Sequence, residues 1–147
     1  MTSTYPFAMK VVQTCKEIDR QTVTVMGGIH ATFMADNILT ESNVTDIAVI
    51  GEGEYTMLEI LRSLSERIDI SSVEGLAYQE NKQIIRTEPR QFIANLDELP
   101  FPARHLFPMQ KYHQTHMITS RGCPFECIFC IPRLCGVTPS GIEVPKM

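Results

Sequence analysis

Cys123, Cys127 and Cys130 stand in Ser120-Arg121-Gly122-Cys123-Pro124-Phe125-Glu126-Cys127-Ile128-Phe129-Cys130, a C-x3-C-x2-C spacing with an aromatic before its last member. Thiolates this close can converge on one metal centre. Three of them around a [4Fe-4S] cluster leave one iron without a protein ligand, whereas an electron-transfer cluster is usually closed by four cysteines. The open iron can take a substrate or cofactor, so the spacing points to catalysis. Cys135 extends the run to C-x3-C-x2-C-x4-C and allows a second reading, a non-catalytic binding module whose tail is stabilised by zinc on four cysteines. Structural zinc commonly uses two short cysteine pairs set well apart. One compact loop suits it less, so Cys135 is read as a non-ligand, with zinc or unliganded thiols as the alternatives.

A second set of residues can bind rather than react. Gly27-Gly28 and Gly51-Glu52-Gly53-Glu54 each follow an apolar run. Glycine lets a backbone approach a bulky ligand and take positive φ, and strand ends are where open α/β sheets bind ligands. Tight turns alone would use the same residues. Glu52 and Glu54 oppose a phosphate cradle, because carboxylates repel the anion that backbone amides attract. A neutral or hydrogen-bond-donating ligand edge fits better. His30, beside the first glycine pair, is a candidate ligand contact given histidine's metal and hydrogen-bond chemistry, although a lone loop histidine is usually structural.

These residues need elements to hold them. Pro6 suits the first turn of a helix, and Ala8, Val11, Val12, Cys15 and Ile18 follow helical spacing. That stripe predicts a core-facing Cys15, a small buried hydrophobe. Thr22–Met26 reads as a strand, Gly27-Gly28 as a turn, and Phe33 to Leu39 as a helix. The unit recurs, with Asp46–Ile50 as strand, 51–54 as turn and Tyr55–Ser65 as helix, where Met57, Ile60, Leu61, Leu64 and Ile68 form the stripe. Strands alternating with helices imply an α/β fold with a parallel sheet, and their continuous apolar character implies burial on both faces. Val73–Tyr78 and Gln83–Thr87 around Glu80-Asn81-Lys82 read as an antiparallel hairpin that extends the sheet or caps its edge. Pro100 and Pro102 mark a linker, and His116–Thr119 reads as a strand entering the cysteine loop. The expected division is 1–72, a partial Rossmann-like domain, then 73–115, hairpin and linker, then 116–147, the cluster segment.

Composition bounds the rest. At 147 residues, 44% hydrophobic and 20% charged, the chain has the profile of one ordinary globular domain. A net charge of −4 without a block of Lys or Arg gives no electrostatic footprint for nucleic acid. No apolar run reaches the roughly 18 residues of a membrane span and no signal-peptide pattern opens the chain. Four of its five cysteines cluster, which suits a reducing compartment better than a disulfide framework. A cytoplasmic location is expected.

Four stretches taken in order resemble one family: Gly27-Gly28-Ile29-His30-Ala31-Thr32, Ile50-Gly51-Glu52-Gly53-Glu54, Leu99-Pro100-Phe101-Pro102-Ala103-Arg104 and Thr119-Ser120-Arg121-Gly122-Cys123-Pro124-Phe125. Together they look like the cobalamin-binding class of radical S-adenosylmethionine (SAM) enzymes, and are most similar to its anaerobic magnesium-protoporphyrin monomethyl ester cyclase-like members. The resemblance implies a flavodoxin-like cobalamin domain holding its ligand over Gly27, Gly28, His30, Gly51, Glu52, Gly53 and Glu54. It implies a cluster on Cys123, Cys127 and Cys130 with Phe129 beside it, and SAM chelated by the open iron. The Asp-x-His-x-x-Gly motif of other cobalamin proteins is absent, which disfavours His30 as a cobalt ligand and leaves contact with the cofactor's tail or a structural role. It further implies reductive cleavage of SAM for radical methylation or ring formation on a small molecule, with electrons from a reductase, flavodoxin or ferredoxin. Measured against that family, the chain is expected to be a fragment: part of the cofactor domain, then the first strand and cluster loop of a truncated (β/α) barrel, inactive alone.

Overall fold

The computed structural model describes residues 2–111 and residue 121, and the chain separates into two compact units, Met1–Phe92 and Ile93–Met147. The first unit contains α1 (Tyr5–Ile18), β1 (Val25–Met26), α2 (Ile29–Ser42), β2 (Ile47–Val49), α3 (Glu54–Glu66), β3 (Leu76–Glu80) and β4 (Gln83–Arg86). Its described sheet has the order β1-β2-β3-β4. β1 and β2 run parallel, with Val25 opposite Ile47 and Met26 opposite Ala48. The hairpin extends the sheet, β3 pairing antiparallel with β2 and β4 antiparallel with β3. Its turn residues Asn81 and Lys82 both take positive φ, as a two-residue hairpin loop with native twist requires.

The core follows from the pleat. Successive residues of a strand point to opposite faces, and every residue of Ile47-Ala48-Val49 is buried. Ile47 and Val49 face one layer, packed with Ile60 of α3, Val73 and Leu76. Ala48 faces the other, packed with Ala35 and Leu39 of α2 and with Ala77. The helices that follow the two parallel strands therefore lie on opposite faces of the sheet, the flavodoxin-like, Rossmann-like α/β arrangement expected. Each fully buried aliphatic side chain of this core contributes about 1.5–3 kcal/mol.

Three expectations need correcting. α1 forms as read, with Pro6 in its first turn, but none of its residues is buried. Phe7, Val11 and Ile18 are 70%, 63% and 82% exposed, and Cys15 is a half-buried free thiol rather than a core residue. Periodicity reports that a helix has an apolar stripe, not what the stripe meets. One tie that holds α1 is polar: Lys16 Nζ lies 2.6 Å from Asp46 Oδ2.

Second, β1 is shorter than Thr22–Met26, because the Asp46 carboxylate takes the place of ladder partners. It accepts from the Thr24 backbone N–H at 2.7 Å and lies 2.8 Å from the Thr24 hydroxyl. Third, the buried face of α3 is Thr56, Ile60 and Ser63, not the stripe through Met57, Leu61, Leu64 and Ile68, whose members are all more than a third exposed. Thr56 can be buried because its hydroxyl has partners. It donates to the Glu74 carbonyl at 3.2 Å and accepts from Arg90 Nε at 2.8 Å, while Arg90 is ion-paired to Glu59 of the same helix.

In the second unit, residues 96–98, 104–106 and 109–111 form single 3-10 turns, the first capped by Asn95, whose side-chain oxygen accepts from the Asp97 N–H at 3.1 Å. Proline at 100, 102 and 108 disfavours longer elements. The strand expected at 116–119 and the loop carrying Cys123, Cys127, Phe129, Cys130 and Cys135 lie outside the described residues.

Candidate functional site

The two glycine turns come together at one end of the sheet. β1 runs into Gly27-Gly28 and its parallel neighbour β2 runs through Ile50 into Gly51-Glu52-Gly53, so both turns stand at carboxyl strand ends. α2 leaves the first turn toward one face and α3 leaves the second toward the other. Adjacent strands whose helices diverge in this way open a crevice between their carboxyl ends, the usual ligand position in open α/β sheets.

The crevice is rimmed by bare backbone. Gly28 has φ +88° and Gly51 φ +80°, values that side-chain-bearing residues adopt only with strain. A Cβ on either would meet no atom within 4 Å, so open space begins directly at the main chain, as a large ligand resting on it requires. α2 and α3 start on Gly28 and Gly53, and neither has a side-chain cap. The positive ends of both helix dipoles thus stand at the two turns. Glu52 is half-buried and Glu54 exposed in the first turn of α3, which keeps the rim unfavourable to a phosphate and suits the carboxamide-bearing edge of a neutral ligand. These features fit cobalamin, whose corrin ring is bordered by amides.

His30 occupies the first turn of α2. Its ring lies against Tyr5, with centroids 4.2 Å apart and planes tilted by 41°. The Tyr5 hydroxyl is 3.4 Å from Glu41 Oε2. Burial first, and the nearby Glu41 carboxylate second, push the Tyr5 phenol above its ordinary pKa, so it stays a neutral donor at physiological pH.

One residue absent from the candidates read in the sequence joins the two turns. Thr32 Oγ1 lies 3.0 Å from the Gly28 carbonyl and accepts the Gly51 N–H at 3.1 Å. A threonine bonding back to the carbonyl four residues earlier is a common helical habit. Its link to Gly51, 19 residues on, has no sequence signal. The structure thus gathers Gly27, Gly28, His30, Gly51, Glu52, Gly53 and Glu54 at one end of the sheet.

The fold is α/β with two glycine turns at adjacent carboxyl strand ends, and residues 1–61 match the family model described as the B12 binding domain. Over that stretch the chain is a cobalamin-type binding domain. It is 39% identical over 128 residues to an uncharacterized methyltransferase of Pyrococcus horikoshii, covering 84% of this chain and 28% of that one. It is 34% identical over 134 residues to the anaerobic magnesium-protoporphyrin IX monomethyl ester cyclase of Rubrivivax gelatinosus, covering 84% and 24%. With the hopanoid C-3 methylase of Methylococcus capsulatus it shares 30% identity over 136 residues, 85% of this chain and 25% of that one. The similarity to proteins named as cyclases and methyltransferases thus runs along most of the chain. The chain spans about a quarter of the length of these relatives.

Proposed function

We propose that this chain supplies the cobalamin cradle and the cluster loop of a cobalamin-dependent radical SAM enzyme that methylates or cyclises a small molecule. The observation that carries the reading is the pair of positive-φ turns at Gly28 and Gly51, with open space above both, within the stretch that matches the B12 binding domain. In this reading the bare backbone at Gly27, Gly28, Gly51 and Gly53 lies against the corrin, Glu52 and Glu54 stand beside its amide-bearing edge, and His30 meets the cofactor's tail. Cys123, Cys127 and Cys130 hold a [4Fe-4S] cluster with one iron open to SAM, and Phe129 packs beside it. The bound groups supply electron transfer to SAM and a methyl carrier or radical partner, while the protein's own task is placement and exclusion of water and oxygen. A flavodoxin- or ferredoxin-type donor supplies the electron. Relatives named for both methylation and cyclisation support the reaction class and leave the substrate open.

Anaerobic reconstitution of the full chain with iron and sulfide tests the cluster. About four irons per chain, as one cubane holds, a brown reducible chromophore and a spectral change on adding SAM are expected, lost in Cys127→Ala and kept in Cys135→Ala. One zinc per chain, with Cys135→Ala as damaging as Cys123→Ala, would contradict it.

A further inference from the structure

The ladder between β1 and β2 holds the register only as far as Met26 opposite Ala48. Beyond it each strand enters a turn containing a positive-φ glycine, the most permissive kind of backbone. On the β2 side Ile50 is still held by its N–H bond to the Gly75 carbonyl, 2.8 Å, so the spacing of Gly28 and Gly51 depends on what connects the first turn to that anchored one. The Thr32 side chain makes that connection: its hydroxyl donates to the Gly28 carbonyl and accepts the Gly51 N–H. Donor and acceptor roles of one oxygen are both used, in the chain Gly51 N–H to Oγ1–H to Gly28 carbonyl, and linked hydrogen bonds of this kind strengthen one another.

Resting on the cobalamin reading above, we infer that Thr32 is a positioning residue, its hydroxyl fixing the spacing of the two bare-backbone rims so that the ligand meets a preformed gap. The backbone bond from the Thr32 N–H to the Gly28 carbonyl, 2.9 Å, already closes the first turn of α2, so the fold does not need the hydroxyl. The side chain is half-buried rather than sealed in the core, so water can satisfy Gly51 when the hydroxyl is gone. What disappears is the fixed spacing, and with it the ordering that a ligand would otherwise have to impose on binding.

Thr32→Val keeps the branched shape and removes both bonds, whereas Thr32→Ser keeps the bonds and removes a methyl group. Three readouts on the full chain separate the roles: thermal midpoint, exchange of the Gly51 amide by NMR, and hydroxocobalamin affinity by absorbance titration. Thr32→Val is expected to keep its thermal midpoint within a few degrees, to speed Gly51 exchange about three- to tenfold, and to weaken hydroxocobalamin about three- to tenfold, the range of a net hydrogen bond. Thr32→Ser should stay within about twofold of wild type on both. Unchanged exchange and affinity in Thr32→Val would overturn the proposal, as would a Ser variant as impaired as the Val variant. Should Thr32→Val fail to fold, Thr32→Ala carries the same expectations. If wild type itself takes up no hydroxocobalamin, the cobalamin reading fails, while the exchange rates still decide whether the hydroxyl couples the turns.

Discussion

Gly27 and Gly51 have the same side chain and different obligations. Gly51 needs φ +80° and has open space where a Cβ would be, so Gly51→Ala should cost about 1–2 kcal/mol through backbone strain alone. Gly27 is not among the positive-φ residues, and its Cβ would meet Val49 Cβ at an ordinary 3.6 Å. Gly27→Ala should change stability by less than about 0.5 kcal/mol. Urea denaturation of the two variants checks the pair, and equal losses would show that the turn geometry is wrong. Both turns were legible in the sequence, because glycine following a β-branched run is a strong local signal. Which glycine carries the strain was not, since that depends on how the chain leaves the strand. Thr32 and the Thr56, Glu59 and Arg90 contacts were illegible for another reason: each joins residues far apart in sequence.

At the scale of elements, every helix and strand read within the first unit exists, and the errors are errors of face and edge. The helix after Gly28 begins four residues earlier than Phe33, with Ile29 to Thr32 as its first turn, and a non-helical Met34 (φ −119°, ψ 26°) kinks it. α3 buries Thr56 and Ser63 instead of the larger Leu61 and Leu64, which at Thr56 is made possible by its hydrogen bonds to Glu74 and Arg90. The short 3-10 turn at Ile70–Ser72 has a cap with a pH signature. Asp69 accepts from the Ser71 hydroxyl at 2.6 Å and from the Ser71 N–H at 3.0 Å. These bonds, the hydroxyl's first, hold its carboxyl below its ordinary value of 3.8. A lowered folded pKa gives stability that is present above the unfolded value and lost as pH falls through the folded one. The cap should therefore be intact at neutral pH and open only in acid below the ordinary aspartate range. A carboxyl carbon titration by NMR should place the Asp69 midpoint below 3.8 and find it raised in Ser71→Ala. A midpoint that Ser71→Ala leaves unmoved would rule out the cap.

At the scale of the whole molecule, the α/β class and the two-sided burial of β2 followed from alternation and apolar continuity alone, while the mixed character of the sheet turned on where the hairpin docked. No helix among the described residues is long and apolar enough to cross a membrane. The cysteine run was the most specific motif in the sequence, and the glycine turns were the less specific ones; it is the turns whose placement is now described, at a crevice made by two parallel strands and their diverging helices. The central claim is that this crevice holds cobalamin. Mapping backbone amide shifts of the full chain by NMR during a hydroxocobalamin titration tests it most directly. Saturable binding with the largest shifts at Gly28, His30 and Gly51 is the expected result. Absence of binding, or shifts centred on the opposite end of the sheet around Asn43 and Asp46, would contradict it.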